Sequence, residues 1–335
     1  MRSVPVVVAT PLEPELVDRL RAVDERLDIR FEAELLPPPR FPSDHVGDPS
    51  FTRTPGEEQR FAELVAGAEV LYGFPREDPR QIAWAVRTAP GLRYVQATFA
   101  GAGQQLAAAG LSRDELTRIH WASSAGVHAT PLAEWSIFGI LAFTKGLPRL
   151  LADQRGRHWD HYPVDELRGS TVLVVGLGSI GREVARLAEA FGMNVVSVRR
   201  GQGNLDELLP QADSIVVTLP LTEETRGLID RSRIERMRRG AIFVNVGRGG
   251  VVDEDALVDA LRSGHLRGAA LDVFTQEPLL PESPLWELDN VIISPHTSAL
   301  SRHENERIIE LFADNLGRYL RGDELRSRID TSVFY

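Results

Sequence analysis

The chain contains no cysteine, which excludes disulfide bonds, thiolate metal sites and a cysteine nucleophile in one step, so any catalysis has to use other groups. It has no apolar stretch near the roughly 18 uninterrupted residues of a membrane helix. The N-terminus passes from a lone Arg2 straight into the strand-like Val4-Pro5-Val6-Val7-Val8, without the apolar core and small-residue cleavage site of a signal peptide, so cytoplasmic placement is the expectation. There is no repeat of solenoid length and no low-complexity tract. Positive charge is in short supply: 38 basic against 48 acidic side chains leave a net charge of -10, which repels phosphate backbones and argues against nucleic-acid binding. No membrane association and no metal site are expected. An anionic small molecule would need local positive charge, so each arginine has to be weighed individually.

A hydrophobic share of 43% and a charged share of 26% are ordinary globular values. The 335 residues are about twice the usual size of one domain, so two cores with a cleft between them are expected. The first third alternates strands (Val4 to Thr10, Asp28 to Leu35, Glu69 to Phe74, Leu92 to Phe99) with helices (Glu13 to Asp24, Glu57 to Ala66, Arg80 to Thr88), the pattern of a parallel sheet covered by helices on both faces. Between Leu36 and Pro55 lies a stretch with six prolines, read as a surface loop packed over the domain or partly ordered. A second alternating run follows the helices Pro131 to Lys145 and its shorter successor reaching Arg157. Its strands are Thr171 to Val175, Asn194 to Val198, Ser214 to Leu219, Ala241 to Val246, Gly268 to Val273 and Val291 to Ser294, and a last helix spans roughly Arg302 to Arg321. The fold class is therefore α/β with two parallel sheets, Rossmann-like or flavodoxin-like.

Gly176-Leu177-Gly178-Ser179-Ile180-Gly181 follows one of these strands and opens the amphipathic helix Arg182 to Phe191. The first glycine permits the turn, the second lets backbone approach a pyrophosphate, and the third packs helix on strand, while the helix N-terminus offers amide donors and positive dipole. Gly176, Gly178, Ser179, Ile180 and Gly181 are thus candidate cofactor contacts. At the end of the next strand, where NAD-preferring proteins place a carboxylate for the ribose, stand Arg199 and Arg200; guanidinium groups suit a 2′-phosphate, so NADP(H) is favoured over NAD(H). From Arg200 the chain reaches Leu205 after only four residues, which predicts loss of a further edge strand and an altered adenosine pocket.

Three more segments end predicted strands of the second run: Asn245-Val246-Gly247-Arg248-Gly249-Gly250, Leu271-Asp272-Val273-Phe274-Thr275-Gln276-Glu277-Pro278 and Ser294-Pro295-His296-Thr297. Ligand sites in open parallel sheets collect beyond carboxyl strand ends, so these segments can converge. Reducing a ketone by hydride leaves negative charge on oxygen; His296 is the natural acid to protonate it, Glu277 bonded to the other ring nitrogen fixes the tautomer, and the planar fork of Arg248 can grip a carboxylate and the keto oxygen together.

Taken with Leu219-Pro220-Leu221-Thr222 and Thr225, these segments closely resemble the signature segments of the D-isomer-specific 2-hydroxyacid dehydrogenase family over about Ala97 to Ser301. The resemblance implies Arg248, Glu277 and His296 as the catalytic set, a 2-keto or 2-hydroxy acid substrate, and a homodimer, with Trp135 on the helix that the family uses for dimerisation. It implies a substrate domain formed by 1–101 and 298–335 and an NAD(P)-binding domain over 102–297. It also implies that Leu219, Pro220, Thr225, Val246, Gly247, Arg248, Asp272, His296 and Ser298 contact cofactor, Asp272 at the nicotinamide carboxamide. Thr98-Phe99-Ala100-Gly101-Ala102-Gly103 resembles the family's substrate-carboxylate loop, with Ala100 and Gly101 as contacts beside Arg248 and His296; Gly103 and Gln104 stand where many relatives carry an aspartate. A nicotinamide-sensing corepressor on the same fold is the main rival function, and a formate-oxidising relative is disfavoured because Glu277 replaces that group's characteristic side chain.

Overall fold

The computed structural model describes residues 2–75 and 78–334. In chain order the elements are β1 (Val4–Val8), α1 (Pro14–Arg21), β2 (Leu27–Arg30), α2 (Pro55–Ala66), β3 (Val70–Tyr72), α3 (Pro79–Thr88), β4 (Tyr94–Gln96), α4 (Ala102–Ala108), α5 (Arg113–Thr117), β5 (His120–Ala122), α6 (Ala129–Thr144), α7 (Leu147–Gly156), β6 (Thr171–Val175), α8 (Ser179–Ala190), β7 (Asn194–Val198), α9 (Leu205–Leu208), β8 (Ser214–Val217), α10 (Arg231–Arg236), β9 (Ile242–Asn245), α11 (Glu254–Arg262), β10 (Gly268–Leu271), β11 (Val291–Ile293) and α12 (Glu304–Arg321). They divide into two compact units: Met1–His128 with Leu300–Tyr335, and Ala129–Ala299.

The first unit carries a five-stranded sheet of order β2-β1-β3-β4-β5, every pair parallel. Alternation along β1 sends Val7 to one face, with Phe61, Leu71 and Ile82, and Val4, Val6 and Val8 to the other, where Ile308, Phe312 and Leu316 of α12 cover them. Capping is locally encoded: Thr54 and Glu57 form a reciprocal capping box ahead of α2, with Pro55 at its first position. Two parts of the expected pattern differ. The stretch read as one strand to Leu35 ends at Arg30 and gives way to a short 3-10 turn at Ala33–Leu35. The first crossing into the second unit falls after His128 and not after Gly101, because residues beyond Gly101 build α4, α5 and β5, and β5 pairs with β4 of the first sheet.

The second unit carries a six-stranded parallel sheet of order β11-β10-β9-β8-β6-β7. β6 again alternates, Leu173 and Val175 packing with Ile215 and Phe243 on one face and Val172 and Val174 packing with Ile140 and Val184 on the other. Gly139 lets α6 close on this sheet, since a Cβ there would lie 2.5 Å from Ala270 Cβ. After β7 the chain turns through Arg199–Gln202, with Gly201 and Gly203 at positive φ, and enters α9 directly, so β7 is the sheet edge as the short spacing predicts. Among the described residues no helix is long and apolar enough to cross a membrane.

Candidate active site

The register of the second sheet sets one transverse row, Val198–Val175–Val217–Asn245–Leu271–Ile293, at the carboxyl ends of all six strands. Each member is followed at once, or after Thr218 in the case of Val217, by a segment singled out in the sequence: Arg199, Gly176, Leu219, Val246 to Arg248, Asp272, and Ser294 to His296. At about 4.8 Å per strand the row spans roughly 24 Å, with the arginines at one end and His296 at the other. The glycine turn sits beside the point where the strand order reverses, between β6 and β8.

Each glycine of that turn has a distinct cause. Gly176 has φ +103 and a Cβ there would lie 2.8 Å from Leu219 Cδ2; a Cβ on Gly181 would lie 1.9 Å from the Gly176 carbonyl oxygen, which is the close helix-on-strand approach. Gly178 is the N-cap of α8, is exposed, makes no side-chain cap and has nothing within 4 Å of a Cβ position. The first amides of a twelve-residue helix are thus left to a ligand, the arrangement that receives a pyrophosphate. The residues fit a dinucleotide.

His296 and Glu277 are brought together: His296 Nδ1 and Glu277 Oε2 are 2.8 Å apart. Glu277 is itself held, its Oε1 accepting from the Phe274 amide at 3.0 Å. The ionised carboxylate accepts, so Nδ1 carries the hydrogen and Nε2 is the nitrogen available for proton exchange. The turn around His296 is built on Asp272, which is buried. Its Oδ1 accepts from Ser294 Oγ at 2.6 Å and from the Thr297 and Ser298 amides at 3.0 Å each, and its backbone carbonyl accepts from the His296 amide at 3.0 Å. These bonds hold His296 at φ 52, the left-handed region that a non-glycine residue occupies only when its surroundings fix it there.

Arg248 is half-buried at the end of β9. Asn245 brackets its turn, accepting from the Gly247 amide at 3.0 Å and donating to the Arg248 carbonyl at 3.2 Å. The guanidinium donates once to the Gly247 carbonyl at 2.7 Å, leaving most of its five donors for a ligand. Gly249 is forced, since a Cβ would fall 1.9 Å from Phe274 C, and this contact fastens the Arg248 turn to the segment leading to Glu277. Val246 is buried and its amide donates to the Val217 carbonyl at 3.1 Å.

Thr225 closes its own turn, Oγ1 donating to the Pro220 carbonyl at 2.6 Å and accepting from the Thr222 amide at 2.8 Å. Arg199 donates to Gln202 Oε1, and Arg200 pairs with Glu224; both arginines are exposed. Ala100 and Gly101 lie on the first unit, directly before α4, with Gly101 as an N-cap that makes no side-chain bond. Gly103 has no room for a side chain, because a Cβ would sit 2.0 Å from the Phe334 carbonyl oxygen. Sequence reasoning gave no role to Asn245, to Ser294, or to Glu254, which accepts the Thr275 amide at 2.9 Å. For Asn245, its place at a strand end beside a glycine turn was the available signal. Among the described residues no group of three or more His, Cys, Asp or Glu side chains is placed to hold a metal ion.

A helix-flanked parallel sheet with this phosphate turn defines a dinucleotide-binding fold. The profile described as "D-isomer specific 2-hydroxyacid dehydrogenase, NAD binding domain" matches residues 137–298. A putative 2-hydroxyacid dehydrogenase of Haemophilus influenzae is 34% identical over 286 residues, 79% of this chain and 86% of that one. The chain belongs to the D-isomer-specific 2-hydroxyacid dehydrogenase family. A glyoxylate reductase of Korarchaeum cryptofilum is 41% identical over 170 residues, which is 47% of this chain and only 51% of that reductase. The structure of a D-isomer-specific 2-hydroxyacid dehydrogenase from Xanthobacter autotrophicus Py2, solved with NADPH and MES, superposes with a TM-score of 0.76 at 27% identity, covering 98% of this chain and 100% of that one.

Proposed function

We propose that this protein reduces a 2-keto acid to the D-2-hydroxy acid at the expense of NADPH. The observation that carries the reading is the 2.8 Å bond between His296 Nδ1 and Glu277, on the same strand-end row as the phosphate turn. A nicotinamide dinucleotide held at the glycine turn of Gly176, Gly178 and Gly181 would supply the hydride. His296 Nε2 delivers the proton to the keto oxygen, Glu277 fixes the ring, and Arg248 grips the substrate carboxylate and polarises the ketone. Ala100 and Gly101 are assigned to the carboxylate through backbone amides. Asp272 is assigned both to the His296 turn, through its three accepted bonds, and to the nicotinamide carboxamide. The glycine turn, Ile180, Leu219, Pro220, Thr225, Val246, Gly247 and Ser298 are assigned to the cofactor. The assembly is a homodimer, for which the exposed Phe138 on α6, Leu150 on α7 and Trp159, 89% exposed, supply apolar surface.

The test follows loss of NADPH absorbance across a panel running from glyoxylate and hydroxypyruvate to larger aliphatic and aromatic keto acids, with cofactor binding measured in parallel. Turnover on any member supports the reading. Tight NADPH binding with no turnover on any member replaces it with the sensor reading.

The preference for NADPH rests on Arg199 and Arg200 at the end of β7, a strand with no carboxylate in the ribose position. A charge-assisted bond contributes about 1.5–3 kcal/mol, so Arg200→Ser is expected to raise the KM for NADPH about 10- to 100-fold while leaving that for NADH within about twofold. Equal changes in both would remove the phosphate role of Arg200.

A further inference from the structure

Within the first unit the proline-rich stretch is ordered around two buried carboxylates: Asp44, which pairs with Arg40 and accepts from the Val46 and Gly47 amides at 3.2 and 3.0 Å, and Glu304. Glu304, at the start of α12, is 2% exposed, and its Oε1 meets His128 Nε2 at 2.9 Å and His45 Nε2 at 3.4 Å, the latter an ion-pair distance without hydrogen-bond geometry. Burial pushes the Glu304 carboxyl up, but the two imidazoles outweigh it and hold it down at about 2. Glu304 Oε2 and His45 Nδ1 have no partner among the described residues. Glu13, which accepts from Asn305 Nδ2 at 2.7 Å, and the buried Tyr72 hydroxyl complete the polar surroundings.

The place of this cluster in the chain matters more than its charge. His128 is the last residue of the unit's first piece, and Glu304 follows shortly after Leu300, where the chain re-enters. Their bond therefore ties the outgoing and returning crossings to each other. His45 fastens the proline-rich segment to the same point, reinforced by Thr10 Oγ1 donating to the His45 carbonyl at 2.6 Å and Ser43 Oγ donating to the Ser301 carbonyl at 3.1 Å. Thr10 and His128 lie beyond the carboxyl ends of β1 and β5, the edge of the first sheet that also carries the Phe99 to Gly101 loop after β4. A buried ion cluster gives little net stability over apolar residues of equal volume, so its value here is in fixing geometry.

We propose that Glu304 is a positioning residue for substrate: through His128 and His45 it sets the arrangement of the segment around His45 and of the two crossings at the substrate-carboxylate edge of the first unit. The inference rests on the keto-acid reading above. Glu304→Gln keeps the shape and removes the charge; His45→Gln, which touches the cluster less closely, is the second variant should the first fail to fold. Expected in the intact protein are about tenfold faster amide exchange at Val46 and Gly47, a KM for keto acid raised about tenfold, kcat within about twofold and an unchanged NADPH Kd. Unchanged exchange, or a kcat loss without a KM change, overturns the proposal. If the unaltered protein turns over no keto acid, the functional reading fails by itself, and the assignment to substrate positioning falls with it whatever the exchange shows.

Discussion

Replacing His296 by Gln is expected to lower kcat on any accepted keto acid about 10²- to 10⁴-fold, the span of general acid catalysis, with NADPH affinity nearly unchanged. Gln fills similar space and can still bond to Glu277, but it carries no titratable proton. Its removal should leave the fold intact, because the side chain is 44% exposed and the turn beneath it is held by Asp272 and not by the ring. Melting temperature and cofactor binding separate a chemical defect from a structural one, and steady-state NADPH oxidation reads the loss. A variant that retains more than about a tenth of the activity would show that a different group, or a water chain, protonates the ketone.

The second unit was the more legible half of the sequence. Its six strands are short apolar runs separated by turn residues, and the site segments each begin where a strand ends, so reading strand ends was equivalent to reading the row across the sheet. The first unit was harder. α4 is a run of small and polar residues with little periodicity, and β5 is only three residues long, so nothing in the pattern carried the first unit past Gly101. The proline-rich segment gave no periodicity either, and its anchoring depends on partners far away in the chain: His45 and Glu304, or Ser43 and Ser301 at 258 residues' separation. Such pairings leave no local spacing to recognise. The same holds for Asp272, which supports the His296 turn from the neighbouring strand, whereas Asn245 acts on backbone atoms two and three residues away and does leave a local signal.

Arg248→Lys tests whether shape or charge is required at the end of β9. Positive charge is retained, so a purely electrostatic steering role would survive at ordinary ionic strength. A planar fork that must hold a carboxylate and a developing oxyanion at once would not, because an ammonium is a point charge that cannot present parallel donors in fixed directions. Losing one oxyanion donor costs about 2.7–4 kcal/mol, so kcat/KM is expected to fall about 10²- to 10³-fold. The fall should be shared between a higher KM, from the carboxylate, and a lower kcat, from the ketone. The turn itself is insensitive to the exchange, since Asn245 bonds to backbone atoms and Gly249 makes the contact with Phe274. An effect confined to KM would leave the carboxylate with Arg248 and move polarisation of the ketone to His296 alone; an effect confined to kcat would place the carboxylate wholly on the amides of Ala100 and Gly101.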